Sequence, residues 1–173
     1  IGTDAAAEAM LADVLSSDLP VLVDADGITV LARRPDLLAA RRAATVVTPH
    51  DREFARLAGA GPASDRLGAA RRAAAKLGVV VLLKGDATIV ARPDGSAYVD
   101  CGGTPWLATA GSGDVLSGMI GALLAAGVEP GLAAAAGTYL HGVAGTLAAA
   151  SGVPTATDVL AAVPGAFASL PPP

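Results

Sequence analysis

The stretch Thr109-Ala110-Gly111-Ser112-Gly113-Asp114, followed by the uncharged run Val115 to Val128, decides how the rest of the chain is read. Small residues and a carboxylate stand directly before a long Ala- and Leu-rich segment, so Gly111, Ser112 and Gly113 form the turn that opens a buried helix. Such a turn is an anion site. Its amide N–H groups lack carbonyl partners, the helix dipole adds partial positive charge, and a glycine lets a phosphate approach the backbone. Asp114 does not belong to a simple cradle, because a phosphate repels a carboxylate. Proton abstraction from a substrate hydroxyl is a task that would place it there. The alternative, in which Ser112 and Asp114 cap and charge a helix start, explains the same residues equally well. The surrounding chain has to separate the two.

At 173 residues, 53% of them hydrophobic, the chain is long enough for one domain, spanning 1–173, with a sizeable core. Aromatic residues make up only 3%, so that core is built from Ala, Val and Leu. The net charge of −4, with no basic run beyond the pairs Arg33-Arg34, Arg41-Arg42 and Arg71-Arg72, argues against nucleic-acid binding. A single cysteine, Cys101, excludes an intrachain disulfide, and with only two histidines no metal-ligand cluster is expected. A reducing cytoplasm is the expected location. Gly131 to Thr157 is free of Asp, Glu, Lys and Arg but is interrupted by glycines, a proline and His141, which predicts a buried helix, not a membrane span. The chain starts at Ile1-Gly2-Thr3-Asp4 with no initiator Met, which is expected of a piece of a longer protein.

Outward from the central stretch, short apolar runs alternate with helical patterns. Asp4 to Asp18 repeats apolar residues at helical spacing and ends at Leu19-Pro20. Val21-Leu22-Val23 then reads as a strand closing on Asp24-Ala25-Asp26-Gly27. In open α/β sheets ligands bind outside the carboxyl ends of strands, so Asp24 and Asp26 lie where chemistry is done, although turn formation explains either aspartate alone. A second strand, Thr45 to Thr48, runs into Pro49-His50-Asp51-Arg52-Glu53. A helix from Asp51 to Leu57 follows, with Gly59 as its stop. His50 and Glu53 face one side of its first turn; capping accounts for Asp51 and Glu53 well and for His50 poorly. A helix from Ser64 to Leu77 leads to the strand Val79 to Leu83, ended by Lys84-Gly85-Asp86. A hairpin then turns at Pro93-Asp94-Gly95. Lys84 at a strand end beside a glycine suits a nucleotide phosphate or sugar. Helices from Val115 to Ala126 and from Gly131 to Ala150, and a last short helix containing Leu160 to Val163, complete a mostly parallel sheet with helices on both faces.

The chain carries no G-x-x-x-x-G-K-[ST] loop, no G-x-G-x-x-G fingerprint and no G-x-S-x-G elbow. A phosphate cradle and a carboxylate base remain, which together describe phosphoryl transfer to a hydroxyl.

The segments DADGITVLA (24–32), VVTPHDREFARL (46–57), VVVLLKGDATIVARPDG (79–95), GTPWLATAGSGDVLSGMIGALLAAG (103–127) and YLHGVAG (139–145) resemble, in order, the carbohydrate-kinase-type domain of NAD(P)H-hydrate dehydratases. The resemblance implies a ribokinase-like three-layer α/β fold lacking its N-terminal part, since family domains carry roughly a hundred further residues or fewer before this point. It implies repair of hydrated NADH or NADPH, with ADP or ATP as phosphoryl donor and Mg2+ as cofactor. Residue by residue, Asp114 matches the base that takes the hydroxyl proton. Lys84, Gly85, Asp86, Ala87 and Thr88, with Gly111, Ser112 and Gly113, match the nucleotide-binding positions. Gly2, His50 and Glu53, with Asp114, match the substrate side, and Glu53 supports the magnesium through water. Self-association into a homo-oligomer is expected from Ala- and Gly-rich helical faces. A small-molecule kinase of the same fold, or a non-catalytic nucleotide-binding module, accounts for the same motifs.

Overall fold

Every residue from Val79 to Leu83 is apolar, the pattern of a strand covered on both faces. In the computed structural model, which describes residues 1–39, 41–150 and 152–171, this run supplies the central strand of a five-stranded sheet. The strand order is β1 (Val21–Val23), β2 (Thr45–Val47), β3 (Val80–Leu83), β4 (Thr88–Ala91), β5 (Ala97–Asp100). The first three are parallel, with Val21 opposite Thr45 and Val46 opposite Val80. β4 and β5 form the expected hairpin at one edge, antiparallel to β3 and to each other, with Val81 opposite Ala91 and Thr88 opposite Asp100.

The pleat sends neighbouring residues to opposite faces. Val23, Val47, Val81, Leu83, Ile89 and Ala91 pack on one side against α1 (Ala5–Ser16), α2 (Asp26–Arg33), α3 (Asp36–Ala39), α4 (Asp51–Ala58) and α5 (Arg66–Leu77). Val46, Val80, Leu82 and Val90 pack on the other against α6 (Ser112–Ala125) and α7 (Pro130–Ala149). Outside these, α8 (Ala156–Ala168) places Val159 and Ala166 on Met119, Leu140 and Ala144. Helix ends follow local chemistry. Asp4 accepts from the Ala7 N–H, the Glu129 carboxylate accepts from the Gly131 and Leu132 N–H groups, and Gly59 and Gly78 stop α4 and α5 with φ of 86° and 69°.

The short α3 and a 3-10 turn at Pro105–Leu107 have no counterpart in the sequence expectation, and two longer elements differ from it. Asp24-Ala25-Asp26-Gly27 is not only a turn: the chain re-enters a helix at Asp26, and α2 buries Gly27, Ile28, Val30 and Leu31. The final helix is 13 residues long and passes through Pro164. The proline leaves the Leu160 carbonyl without its helical donor, but Leu160 is exposed, so water can serve it.

Candidate active site

The parallel strands end together. Asp24 follows β1, Thr48-Pro49-His50 follows β2 and Lys84 follows β3. The Lys84 N–H donates to the Pro49 carbonyl at 2.9 Å, extending the β2–β3 pairing beyond the strands themselves. The hairpin runs the other way in β4, so Thr88 and Asp100, paired across it, reach the same end of the sheet. This is the end at which open α/β sheets bind their ligands.

An ion-pair network fills the gap between β1 and β3. The Lys84 ammonium donates to Asp24 Oδ1 at 2.8 Å and lies 4.0 Å from Glu53 Oε2. Asp24 also accepts from the Ala25 N–H at 2.9 Å and, through Oδ2, from the Ser117 hydroxyl at 2.9 Å. Burial raises the Asp24 pKa, but the Lys84 hydrogen bond and charge, with those from Ser117 and Ala25, outweigh it and hold the carboxyl below its ordinary value. Glu53 is buried at the first turn of α4. Its Oε2 accepts from the His50 N–H at 2.9 Å, while His50 Nδ1 accepts from the N–H groups of Arg52 and Glu53 at 3.1 and 3.3 Å. His50 is therefore itself the cap of α4, in a reciprocal capping box with Glu53. Capping fits His50 better than the sequence suggested. Its imidazole is half exposed, and with Nδ1 accepting, the neutral ring carries its proton on Nε2.

Beside this network stands the first turn of α6. Gly111 has φ of 84°, and a Cβ there would lie 3.1 Å from that of Ala156, so only glycine suits the position. No side chain caps α6 or α2, whereas α1, α4, α5, α7 and α8 each have one; the α6 turn is less open than expected from sequence, because the Ser112 N–H donates to the Thr109 carbonyl at 3.3 Å and the Asp114 N–H to the Gly111 carbonyl at 3.1 Å. A Cβ on Gly113 would be 3.8 Å from both Lys84 Nζ and Asp24 Oδ2, which brings the turn against the ion pair. Ser112 is buried, with Oγ 3.3 Å from Nε2 of the buried His141; burial lowers the His141 pKa, and a hydrogen bond with the Ser112 backbone offsets part of that. Asp114 is exposed on the same turn.

The remaining expected positions are also near this end. Gly85 is crossed by Arg66, which donates to the Lys84 carbonyl at 2.9 Å and pairs with Asp51 at 2.6 Å; a Cβ at Gly85 would collide with its Nη2. Asp86 is exposed, Ala87 partly so, and the Thr88 hydroxyl donates to the Gly85 carbonyl at 3.3 Å. Gly2 donates its N–H to Asp26 Oδ2 at 3.0 Å, which ties the chain start to the segment after β1. Sequence reasoning missed Ser117, Arg66 and the pairing of His141 with Ser112. It placed Asp24 at the correct strand end without assigning it a partner.

Two cavities lie apart from the ion pair. One of about 420 Å³, lined by Leu15, Asp18, Asp36 and Arg41, opens at the amino ends of β1 and β2. Its Arg41 is used up on the Leu15, Ser17 and Leu19 carbonyls and the Thr45 hydroxyl, a structural duty. A groove of about 200 Å³ starts at Thr88 and runs between the hairpin and α7, past Tyr98, Asp100 and Tyr139.

A cradle without a side-chain cap, a lysine held against it and an exposed carboxylate on the same turn are parts for phosphoryl transfer. A model of the NAD(P)H-hydrate dehydratase family matches residues 1–164. The chain belongs to this family. It is similar to the bifunctional NAD(P)H-hydrate repair enzyme of Mycobacterium tuberculosis, 62% identical over 135 residues, covering 78% of this chain and 28% of that protein. Among solved structures it is similar to the ADP/ATP-dependent NAD(P)H-hydrate dehydratase from Bacillus subtilis co-crystallised with ATP and Mg2+. The TM-score is 0.85 at 28% identity, over 97% of this chain and 61% of that one. Arabidopsis thaliana ribokinase, complexed with ribose and ATP, shares the fold at a TM-score of 0.58 and 16% identity, over 90% of this chain and 52% of that one. The dehydratase fold here is thus ribokinase-like. No helix among the described residues is long and apolar enough to cross a membrane.

Proposed function

We propose that this chain carries the phosphoryl-transfer machinery of an enzyme that restores hydrated NADH or NADPH, using ADP or ATP. The observation that carries the reading is the meeting of the α6 turn with the Lys84 ammonium, 3.8 Å from the Gly113 Cβ position, while Asp114 stands exposed on that turn. The name of the Bacillus subtilis structure, an ADP/ATP-dependent dehydratase, supports the choice of donor.

In this reading Gly111 and Gly113 present their amides to the transferring phosphoryl group, while the Ser112 N–H, donated to the Thr109 carbonyl at 3.3 Å, holds the turn in shape. Lys84 and the segment Gly85 to Thr88 hold the nucleotide, and the groove that begins at Thr88 receives its far end. Asp114 accepts the proton of the ring hydroxyl as its oxygen bonds to phosphorus and the donor's bridging P–O bond breaks. Phosphate, a far better leaving group than hydroxide, then departs with the C–O electron pair. Loss of a neighbouring ring proton restores the dihydronicotinamide. Gly2 and His50 belong to the substrate side. Among the described residues no three His, Cys, Asp or Glu side chains gather as a metal cage. That suits Mg2+, which keeps waters and takes phosphate oxygens instead of an all-protein cage. Glu53, with Oε2 committed to the His50 N–H, would hold a water of such an ion, and the ion would neutralise phosphate charge. We further assign the enzyme to the cytoplasm, with self-association through exposed apolar residues outside that groove, such as Leu132 and Leu147.

The test mixes the protein with hydrated NADH, Mg2+ and either ADP or ATP, following the return of reduced-nicotinamide absorbance together with phosphate release. Recovery with one donor supports the dehydratase and names that donor. A stable phosphorylated product without recovery replaces it with a small-molecule kinase. Nucleotide binding without any turnover leaves a binding module.

A further inference from the structure

Asp24 is used neither for anion binding nor for proton abstraction, yet it joins three elements. Its Oδ1 takes Lys84 Nζ at 2.8 Å and the Ala25 N–H at 2.9 Å, and its Oδ2 takes the Ser117 hydroxyl at 2.9 Å. These side-chain partners lie 60 and 93 residues away in the chain. Only 15% of the Asp24 side chain is exposed. A carboxylate in that position repels an incoming phosphate, so its presence calls for a compensating task.

The geometry supplies one. Asp24 Oδ2 and Lys84 Nζ both lie 3.8 Å from the Gly113 Cβ position, and Ser117 stands one helical turn further along α6. Asp24 therefore grips α6 just behind the cradle and holds the ammonium at the cradle's first turn. A lysine head on a flexible four-carbon stem has no fixed place without such a partner. The backbone next to it is strained as well: Ala25 has φ of 50° and ψ of −120°, and its N–H is spent on Asp24. Strain of this kind persists where surrounding contacts over-determine a functional position.

We propose that Asp24 is a positioning residue that holds the Lys84 ammonium against the first turn of α6, so that lysine and the α6 amides meet the same phosphoryl oxygens. This deepens the function proposed above but rests only on its anion-binding half, not on which hydroxyl is phosphorylated. The competing role is purely structural, with Asp24 anchoring α6 through Ser117.

The chain has two lysines, Lys84 and the exposed Lys76 on α5, so competitive acetylation read by mass spectrometry reports Lys84 with an internal reference. In the wild type Lys84 reacts about tenfold more slowly than Lys76, as a charge-assisted hydrogen bond to a carboxylate requires. Inorganic pyrophosphate slows Lys84 further and spares Lys76. Asp24→Asn raises the relative rate of Lys84 about tenfold and removes most of the pyrophosphate protection, whereas Ser117→Ala changes both by less than about twofold. Equal reactivity of the two lysines in the wild type overturns the proposal, and that measurement stands even if Asp24→Asn does not fold. Equal effects of Asp24→Asn and Ser117→Ala on Lys84 overturn it too, in favour of simple anchoring. In turnover with ADP and hydrated NADH, Asp24→Asn lowers kcat about tenfold or more while KM for ADP moves less than about threefold. A loss confined to KM counts against it. A wild type without turnover defeats the functional reading, and the acetylation experiment still decides the role of Asp24.

Discussion

Ala25 shows how a single residue links strain to the site. Its φ of 50° with ψ of −120° lies where a Cβ is costly, and such positions cost about 1–3 kcal/mol. Glycine would relieve that cost while giving back about 0.5–1 kcal/mol through the freedom it adds to the unfolded chain. Ala25→Gly is therefore expected to stabilise the protein by about 1 kcal/mol in denaturant unfolding; a loss of stability would mean that the backbone is not strained there. Asp114 gives a prediction of another kind. It is exposed, so replacing it disturbs little packing, and a general base supplies about a hundredfold or more of rate. Asp114→Asn should lower kcat by at least about that factor with nucleotide affinity nearly unchanged in calorimetry, and undiminished turnover would remove the residue from the reaction.

At the level of elements, α6 and α7 act as a pair whose glycines have opposite meanings. A Cβ on Gly145 would lie 2.6 Å from Leu107 Cδ2 and 3.0 Å from Thr104 Cγ2, both on the segment that leads into the cradle. Gly118 on α6 has nothing within 4 Å. Gly145→Ala should therefore cost about 1–3 kcal/mol and weaken nucleotide binding by shifting that segment. Gly118→Ala should add about 0.5–1 kcal/mol through helix propensity alone. Thermal unfolding of the two variants with the same sign would contradict this packing. The sequence showed both helices, because long Ala- and Leu-rich runs are visible without tertiary knowledge. It did not show which glycines are close approaches, since that depends on which side chains another element brings. The same limit hid α2, whose Asp-Ala-Asp-Gly start has turn chemistry while its helical spacing emerges only at Ile28, Val30 and Leu31. Strand ends were legible, so Asp24, His50 and Lys84 stood at one end of the sheet in advance. The Asp24–Lys84 pair and its Ser117 anchor were not, because a serine on an apolar helix carries no signal of a carboxylate 93 residues away.

Across the whole molecule, the parallel strands collect ionisable groups at one end and bury some of them, which gives stability a pH dependence in two separate windows. His141 has a folded pKa below its ordinary 6.5, because burial disfavours the imidazolium more than Ser112 compensates. Above that value neither state binds the proton, and the histidine does not influence folding. As pH falls through 6.5 the unfolded chain takes up a proton that the folded chain refuses, so stability declines until the folded pKa is reached. Asp24 works at lower pH. Its folded pKa lies below the ordinary 3.8, so its ion pair and hydrogen bonds contribute in full above that value and are lost as pH falls from there through the folded pKa. Denaturant midpoints measured from about pH 8 to about pH 3 should thus fall twice, first below about 6.5 and again below about 4. His141→Gln keeps a hydrogen-bonding group near Ser112 but cannot titrate, and it should flatten the first decline while leaving the second in place. Asp24→Asn should weaken the second and spare the first. If His141→Gln retains the full decline between about pH 6.5 and pH 5, the buried histidine is not its source, and protons taken up by other groups in the unfolded chain must account for it.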